Sequence, residues 1–498
     1  EGSKVPRELV ELCADRLRLT ALDNLNHGTI DKIIHEPPLG ARRDDFSFFG
    51  QIRREMISAT DRVVLSSRSF PSIRSLEIGQ KRSKKEDQEF AVAVSWDLSR
   101  EEAVRLLRLR SEKYLNMATH GYIGQPEARR SVMQQARIYS EHFYYTLRYD
   151  IFKNHKRQVR KVLDDVSGEG SVMLKRLSKP FSGAIKFLTA PRPEKKEAKL
   201  ITYNGNGQST GQRQDPLELT DTYTSPLANS DRTVSCPNAD KHGCRDLWIP
   251  DLYGEFAGVC ETCGHHFPLE YQWYLENVFD PGSIRFFNTH LESQNPLGYT
   301  GFSERLQAAK DKTRRKSSNM TFSAQIDGIK IVTAILYSDF RNGTVGSTEG
   351  EKFVQACKLA QRQKRPLLAY IHSTGGIRIQ EGTLGVVQMP KCTMAVREYI
   401  DSGGLYIVVY DNNSYAGPVA SFLGCSPYQF AIRSSRIGFA GPRVIRETTG
   451  IDIPPDYHSA RNALRRGHIQ GIWDRREFRK NLHKALQTMG SPHLYYRQ

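Results

Sequence analysis

The sequence predicts a mixed α/β domain in its C-terminal half, led by a cysteine ribbon and preceded by a mainly helical basic extension. Three observations carry that prediction. Beyond Cys236, short apolar runs bounded by turn residues alternate with helical stretches. Four of the chain's 8 cysteines are clustered immediately ahead of that region. Ahead of both, apolar residues recur at three- and four-residue spacing among Arg and Glu. The boundaries expected are 1–188 for the extension, 189–232 for a flexible linker, 233–268 for the ribbon and 269–498 for the α/β domain.

In the extension, Glu101–Asn116 and Pro126–Phe152 have the spacing of amphipathic helices, and no chemical motif accompanies them. The stretch is basic: residues 1–200 hold 38 Lys and Arg against 27 Asp and Glu, and the whole chain carries +17. Lys153–Lys199 alone holds 13 basic and 5 acidic residues. Such a face attracts an acidic partner, anionic lipid, nucleic acid or a CoA ester. A partner-facing surface in a larger assembly is the preferred reading. No helix-turn-helix or RNA-recognition signature points further toward nucleic acid.

Pro191, Pro193, the run Asn204–Gln212 and the Ser/Thr clusters after it read as the linker. Gly205, Gly207 and Gly211 miss the dinucleotide-binding spacing by one residue and have neither strand nor helix beside them. No stretch approaches eighteen consecutive apolar residues, so no membrane-spanning helix is expected. The chain opens on Glu1 rather than Met, which fits a removed targeting peptide or missing leading residues.

The ribbon reads Cys236, seven residues, Cys244, fifteen residues, Cys260-Glu-Thr-Cys263. Four thiolates on two turns suit a structural Zn²⁺ bound tetrahedrally, with no open position for catalysis. The second pair has the usual two-residue spacing and the first does not. His242 is therefore an alternative fourth ligand, and an empty ribbon or disulfides stay open. Clustering of four cysteines fits a reducing compartment better than a secreted disulfide scaffold.

Within the α/β region, strands are expected at Gly328–Tyr337, Pro366–Ile371, Leu405–Tyr410 and Gln429–Phe439, with helices at Glu349–Gln363 and Gly382–Ile400. Two strands run into glycine turns, Ser373-Thr-Gly375-Gly376 and Ser414-Tyr-Ala416-Gly417. A turn of this kind at a helix start offers unpaired backbone N–H groups to an oxyanion. Taken alone, it is more often a packing device. There is no GxxxxGK[ST] loop, and no GxSxG string sits on a strand-to-helix elbow. His372 and His458, near these turns, read as packed histidines.

Four strings occur in order: GSTEGEKF (346–353), GGIRIQEGTLGVVQM (375–389), AGPVASF (416–422) and IGFAGPRVIRET (437–448). Together with Cys260–Cys263 and the following Gly264-His265-His266, they resemble the carboxyltransferase β subunit of bacterial and plastid acetyl-CoA carboxylase. Phe279–Ser283 and Tyr299–Lys310 match the connecting region. The resemblance covers about half the chain and leaves residues 1–230 outside it.

It implies a crotonase-like fold of repeated ββα units. It also implies transfer of CO₂ from carboxybiotin on a carrier protein to acetyl-CoA, giving malonyl-CoA for fatty acid synthesis. By position, Ala416 and Gly417 would form the oxyanion hole, and Gly375 and Gly376 would shape the acyl-CoA pocket. Gly346, Ser347, Arg378, Gly441 and Arg443 would contact the CoA ester or biotin. The implied partners are a carboxyltransferase α subunit, a biotin carboxyl carrier protein and a biotin carboxylase in a hetero-oligomer. The implied location is plastid stroma, or bacterial cytoplasm.

The departures fall on turns. Ser414-Tyr415-Ala416-Gly417-Pro418 replaces Thr-Thr-Gly-Gly, Phe340-Arg341-Asn342-Gly343 replaces an apolar residue and a double glycine, and the first cysteine loop is long. Alanine resists the positive φ that glycine accepts, and proline removes one N–H. An active divergent β subunit is expected, with a catalytically degenerate scaffold subunit as the alternative.

Overall fold

The central strands Leu367–Ile371 and Tyr406–Tyr410 are apolar and buried at every position, because helices cover both faces of the sheet there. The computed structural model describes residues 7–37, 40–68, 94–118, 121, 233–248 and 257–490. The expected helix at Pro126–Phe152, the basic stretch and the 189–232 linker lie outside the described residues.

Of the extension, helices Arg7–Arg16, Ala21–Asn26, Phe46–Ser67 and Arg100–Asn116 are described. The last starts one residue earlier than expected because Ser99 and Glu102 form a capping box. It packs on the Gly382–Asp401 helix, where Tyr114, Met117 and Ala118 meet Leu297, Leu384 and Val387. Lys391 Nζ donates to Met117 O at 3.3 Å across that seam. Among the described residues no helix is long and apolar enough to cross a membrane.

In the ribbon, β1 (Thr233–Val234) pairs antiparallel with β2 (Leu247–Trp248). The α/β region then builds a seven-stranded sheet in the order β11-β9-β7-β6-β5-β4-β3. Its members are β3 (Arg285–Phe286), β4 (Asn319–Ile326), β5 (Ile329–Leu336), β6 (Leu367–Ile371), β7 (Tyr406–Tyr410), β9 (Tyr428–Ile432) and β11 (Gly471–Trp473). β3, β4 and β5 are antiparallel, and β5 through β11 are parallel. Alternate residues face opposite layers. Leu368, Tyr370, Ile407 and Val409 meet the Tyr271–Val278 and Phe478–Met489 helices. Leu367, Ala369, Tyr406 and Val408 meet the Ser347–Gln363 and Gly382–Asp401 helices.

The expected run Gln429–Phe439 is two strands, because Arg433–Ser435 turn the chain out of β9 into β10 (Arg436–Gly438). β10 pairs in parallel with β8 (Asn413–Tyr415), and bridges Thr374↔Ser414 and Val345↔Ile377 extend this second row. Each unit therefore contributes one strand to the large sheet, one short strand to the second row, and a helical segment. This is the crotonase-like arrangement of repeated ββα units, led by a four-cysteine cluster.

Candidate functional site

The second row of strands brings the two glycine turns together. Thr374 N–H donates to Asn413 O at 3.0 Å and Tyr415 N–H to Thr374 O at 3.1 Å, fixing the register between them. Gly376 has φ +98°, and a Cβ placed on it would sit 2.6 Å from the Ala416 Cβ. Ala416 itself has φ +67°, the left-handed conformation that alanine disfavours. Ala416 thus holds a backbone conformation suited to glycine, at a strain of about 1 kcal/mol.

The N–H groups of these turns are not equally available. Ala416 N–H donates to Phe439 O at 2.7 Å, so it is not a free oxyanion donor as expected of it. Gly375 N–H donates to Asn342 O at 2.8 Å, and Gly376 N–H reaches Thr374 Oγ1 at 3.3 Å. Gly417 N–H donates to no acceptor among the described residues. Gly417 packs against Ile377 and Met389, and leads into the π-helical turn Val419–Leu423.

Behind the first turn, Arg341, Asn342 and Gly343 have φ of +49°, +56° and +66°, a single left-handed turn. A side chain on Gly343 would run into Ser373 O. Here too a divergent sequence holds a backbone path suited to glycine, at a cost of order 1–2 kcal/mol per non-glycine residue.

Gly346, Ser347 and Arg378, expected at the cofactor, belong instead to a buried ion network. Arg378 is fully buried and forks onto Glu349, Nη1 to Oε2 and Nη2 to Oε1, both at 2.8 Å. Its Nη1 also reaches Glu381 Oε1 at 3.2 Å, and its Nη2 donates to Thr344 O at 2.8 Å. Ser347 gives both its N–H and its hydroxyl to Glu381 Oε2 at 2.7 Å, and Gly346 N–H donates to Glu349 Oε2 at 3.1 Å. The protein's own carboxylates therefore fill the start of the Ser347–Gln363 helix, and the Arg378 guanidinium has no face turned to solvent.

Burial raises the Glu349 carboxyl, but the Arg378 charge and hydrogen bonds from Arg378, Ser293 and Ser318 outweigh it and hold it below the usual range. Burial raises Glu381, and Arg378 only partly offsets this because Glu349 adds like-charge repulsion. Next to them, burial pushes the Lys352 ammonium down to about 8, with Glu349 opposing and Arg315 and Lys316 assisting. Glu349, Glu381 and Lys352 were not singled out in the sequence. The readable signal is a Glu three residues after a helix-start glycine.

Gly441 caps the Pro442–Thr449 helix, which buries no residue. Arg443 is exposed and pairs with Glu447 at 2.7 Å. Both lie beyond Tyr415, whose ring meets His458 edge-on at 5.2 Å between centroids. His458 backs onto Gly438, and burial, then Arg436 and Arg466, lower its pKa. His372 is buried, with Nε2 2.6 Å from Leu269 O, in keeping with a packed histidine.

In the ribbon the Sγ atoms of Cys236, Cys244, Cys260 and Cys263 all lie within 4.8 Å of one another, and Cys236 and Cys263 are 3.5 Å apart. Tetrahedral Zn²⁺ with Zn–S near 2.3 Å needs sulfurs about 3.8 Å apart, so the four fit that ion. The seven-residue first loop fits because Ala239–His242 form one helical turn that Gly243, at φ +65°, ends just before Cys244. His242 is exposed on that turn, outside the cluster. Burial raises Cys263, but Asn238 Nδ2, the His265 N–H and the neighbouring thiols bring it to about 7. Burial and the other three thiols push Cys244 up to about 12. Bound Zn²⁺ would favour the thiolate form of its cysteine ligands.

No protein-family model matches the chain. Among solved structures, it is similar to a Pseudomonas malonate decarboxylase hetero-dimer, at 21% identity over 42% of this chain and 82% of that one, with TM-score 0.33. It is similar to transcarboxylase 12S with hydrolysed methylmalonyl-CoA bound, at 21% identity over 43% of this chain and 40% of that one, with TM-score 0.37. It is also similar to the β subunit of P. aeruginosa geranyl-CoA carboxylase, at 17% identity over 49% of this chain and 41% of that one, with TM-score 0.35.

Proposed function

We propose that the chain is a carboxyltransferase subunit that moves a carboxyl group from carboxybiotin onto an acyl-CoA, with acetyl-CoA the acceptor its motifs suggest. One observation carries the reading: the two glycine turns named by those motifs lie against each other, with the Gly417 N–H bonded to no acceptor among the described residues. Biotin, delivered on a carrier protein, would supply the carboxyl group and a ureido nitrogen able to accept a proton. The chain's own part is positional and electrostatic. Gly417 N–H would donate to the thioester oxygen as it takes on enolate charge, and a donor fixed before the reaction needs no reorganisation. Gly376 and Ala416 hold that donor by their mutual contact.

The scaffold alternative rested on departures clustered at the turns, and Ala416 and Arg341–Gly343 hold left-handed backbone there. The same reading makes an α-type carboxyltransferase subunit, a biotin carrier and a biotin carboxylase its partners, in plastid stroma or bacterial cytoplasm. Malonyl-CoA-dependent carboxylation of biocytin by the full chain mixed with the α-type subunit tests it. Turnover that falls at least tenfold in Gly417→Ala, and recovers when Ile377→Ala makes room, is the expected result. Undiminished turnover when the Gly417 peptide N–H is replaced by an ester oxygen would remove Gly417 from the role.

A further inference from the structure

Arg475 connects the cysteine ribbon to the strand that becomes the second glycine turn. It is fully buried in a stretch, Asp474-Arg-Arg-Glu477, that reads as surface charge. Its Nη1 donates to Ala257 O at 3.1 Å and Gly258 O at 3.3 Å. Its Nε donates to the Tyr274 hydroxyl at 2.6 Å, and its Nη2 lies 3.4 Å from Asp411 Oδ1. The hydroxyls of Tyr274 and Tyr370 donate to Asp411 Oδ2 at 2.7 and 2.9 Å.

Both ends of this clamp are specific. Ala257 and Gly258 have φ of +51° and +67°, a left-handed pair on the approach to Cys260, and their two carbonyls receive the guanidinium. A Cβ on Gly258 would come within 2.9 Å of Nη1. From there Phe267 N–H donates to Gly258 O and Cys260 N–H to His265 O, closing the hairpin that carries Cys260 and Cys263. One residue before Arg475, Asp474 Oδ2 lies 3.3 Å from His266 Nε2, a second latch on the same hairpin. At the other end, Asp411 directly follows β7. The chain then runs Asn412, Asn413, Ser414, Tyr415 to Ala416, held to the first turn by the Thr374 hydrogen bonds.

We infer that Arg475 is a positioning residue that couples metal loading of the four-cysteine cluster to the conformation of the Asp411–Gly417 segment. A loaded cluster fixes the 257–267 hairpin and so the two carbonyls. Those carbonyls hold the guanidinium in register with Asp411, and Asp411 sets the exit of β7 into the turn. The consequence for catalysis rests on the proposed carboxyl-transfer role. The coupling does not, and it is read without any activity.

The test is hydrogen exchange of the full chain, Zn²⁺-loaded and after chelation. In the wild type, chelation should speed exchange at the Asp411 and Tyr415 amides about tenfold, while amides of the β4–β5 hairpin stay unchanged. In Arg475→Lys, which keeps the charge but not the fork, the response at 411–417 should fall below about twofold, with one Zn²⁺ still bound. Should Arg475→Lys fail to fold, Tyr274→Phe removes one hydroxyl from the clamp and should at least halve the response. A wild-type response confined to 257–267 would overturn the inference. So would an undiminished response in Arg475→Lys, or in Tyr274→Phe where Arg475→Lys does not fold.

Discussion

Gly376 faces Ala416 so closely that a methyl group on it would lie 2.6 Å from the Ala416 Cβ. The two residues come from different ββα units and are the point at which the turns touch. Gly376→Ala adds both that clash and a left-handed alanine, and should destabilise the fold by about 3 kcal/mol in chemical denaturation. Ala416→Gly relieves φ +67° and should stabilise by up to about 1 kcal/mol, less the added freedom of the unfolded chain. In the double variant part of the Gly376→Ala cost should disappear, because the opposing methyl has gone. Strict additivity would show that the two residues are not in contact.

Lys352 gives a pH dependence of defined sign. Its ammonium is buried beside Ser317 Oγ at 2.6 Å, and burial holds its pKa near 8 against an ordinary value of 10.5. Between about pH 8 and 10 the unfolded chain binds the extra proton, so this group's contribution makes stability rise with pH in that window. Below pH 8 the full cost of burying the charge is present. Lys352→Met should therefore stabilise at pH 7, by at most about 3 kcal/mol, and the gain should shrink toward pH 10. Denaturation midpoints of the two proteins at pH 7 and 10 check it; a gain that grows with pH would contradict the assignment.

Glu349 and Glu381 share Arg378 unequally. Glu349 is held ionised by the fork, and Glu381 is pushed toward its protonated form. Glu349→Gln should cost about 3–5 kcal/mol, since it leaves the guanidinium without its main partner. Glu381→Gln keeps an oxygen for Ser347 and should cost less than about 1.5 kcal/mol. Denaturation of the two variants side by side decides it, and the reverse order would contradict the pairing.

The four-cysteine cluster should bind one Zn²⁺ per chain. Cys260→Ser and Cys263→Ser should each abolish stoichiometric binding, while His242→Ala leaves it intact because His242 stands outside the cluster. Elemental analysis of the purified variants measures it. Zinc lost with His242 and kept without Cys260 would refute the four-thiolate site.

The α/β alternation was legible because the central strands are covered on both faces, which leaves unbroken apolar runs such as Leu405–Tyr410 between turn residues, whereas the ββα repeat followed from the motif resemblance. The cysteine spacing announced the ribbon, and the odd seven-residue gap became intelligible once Ala239–His242 formed a helical turn. What the sequence concealed is long-range pairing. Arg378 sits inside a motif string that points to ligand contact, yet Glu349 and Glu381 consume its guanidinium. Arg475 looks like one of several surface arginines, and only the fold sets Tyr274 and Asp411 around it. Hydrogen bonding of single amides was equally hidden. Ala416 and Gly417 are adjacent in the chain, and Phe439 O takes the first N–H while the second meets no acceptor among the described residues.

In the proposed reaction the paired turns present Gly417 N–H to an acyl-CoA oxygen during carboxyl transfer. Its most direct measurement is malonyl-CoA-dependent carboxylation of biocytin by the full chain together with an α-type carboxyltransferase subunit, comparing wild type with Gly417→Ala. Turnover is expected in the wild type, and in the variant, where a Cβ pressed against Ile377 and Met389 displaces the retained N–H, a fall in kcat of at least about tenfold with KM for malonyl-CoA little changed. Absence of turnover in a wild-type complex that is folded, zinc-loaded and stably assembled would contradict it.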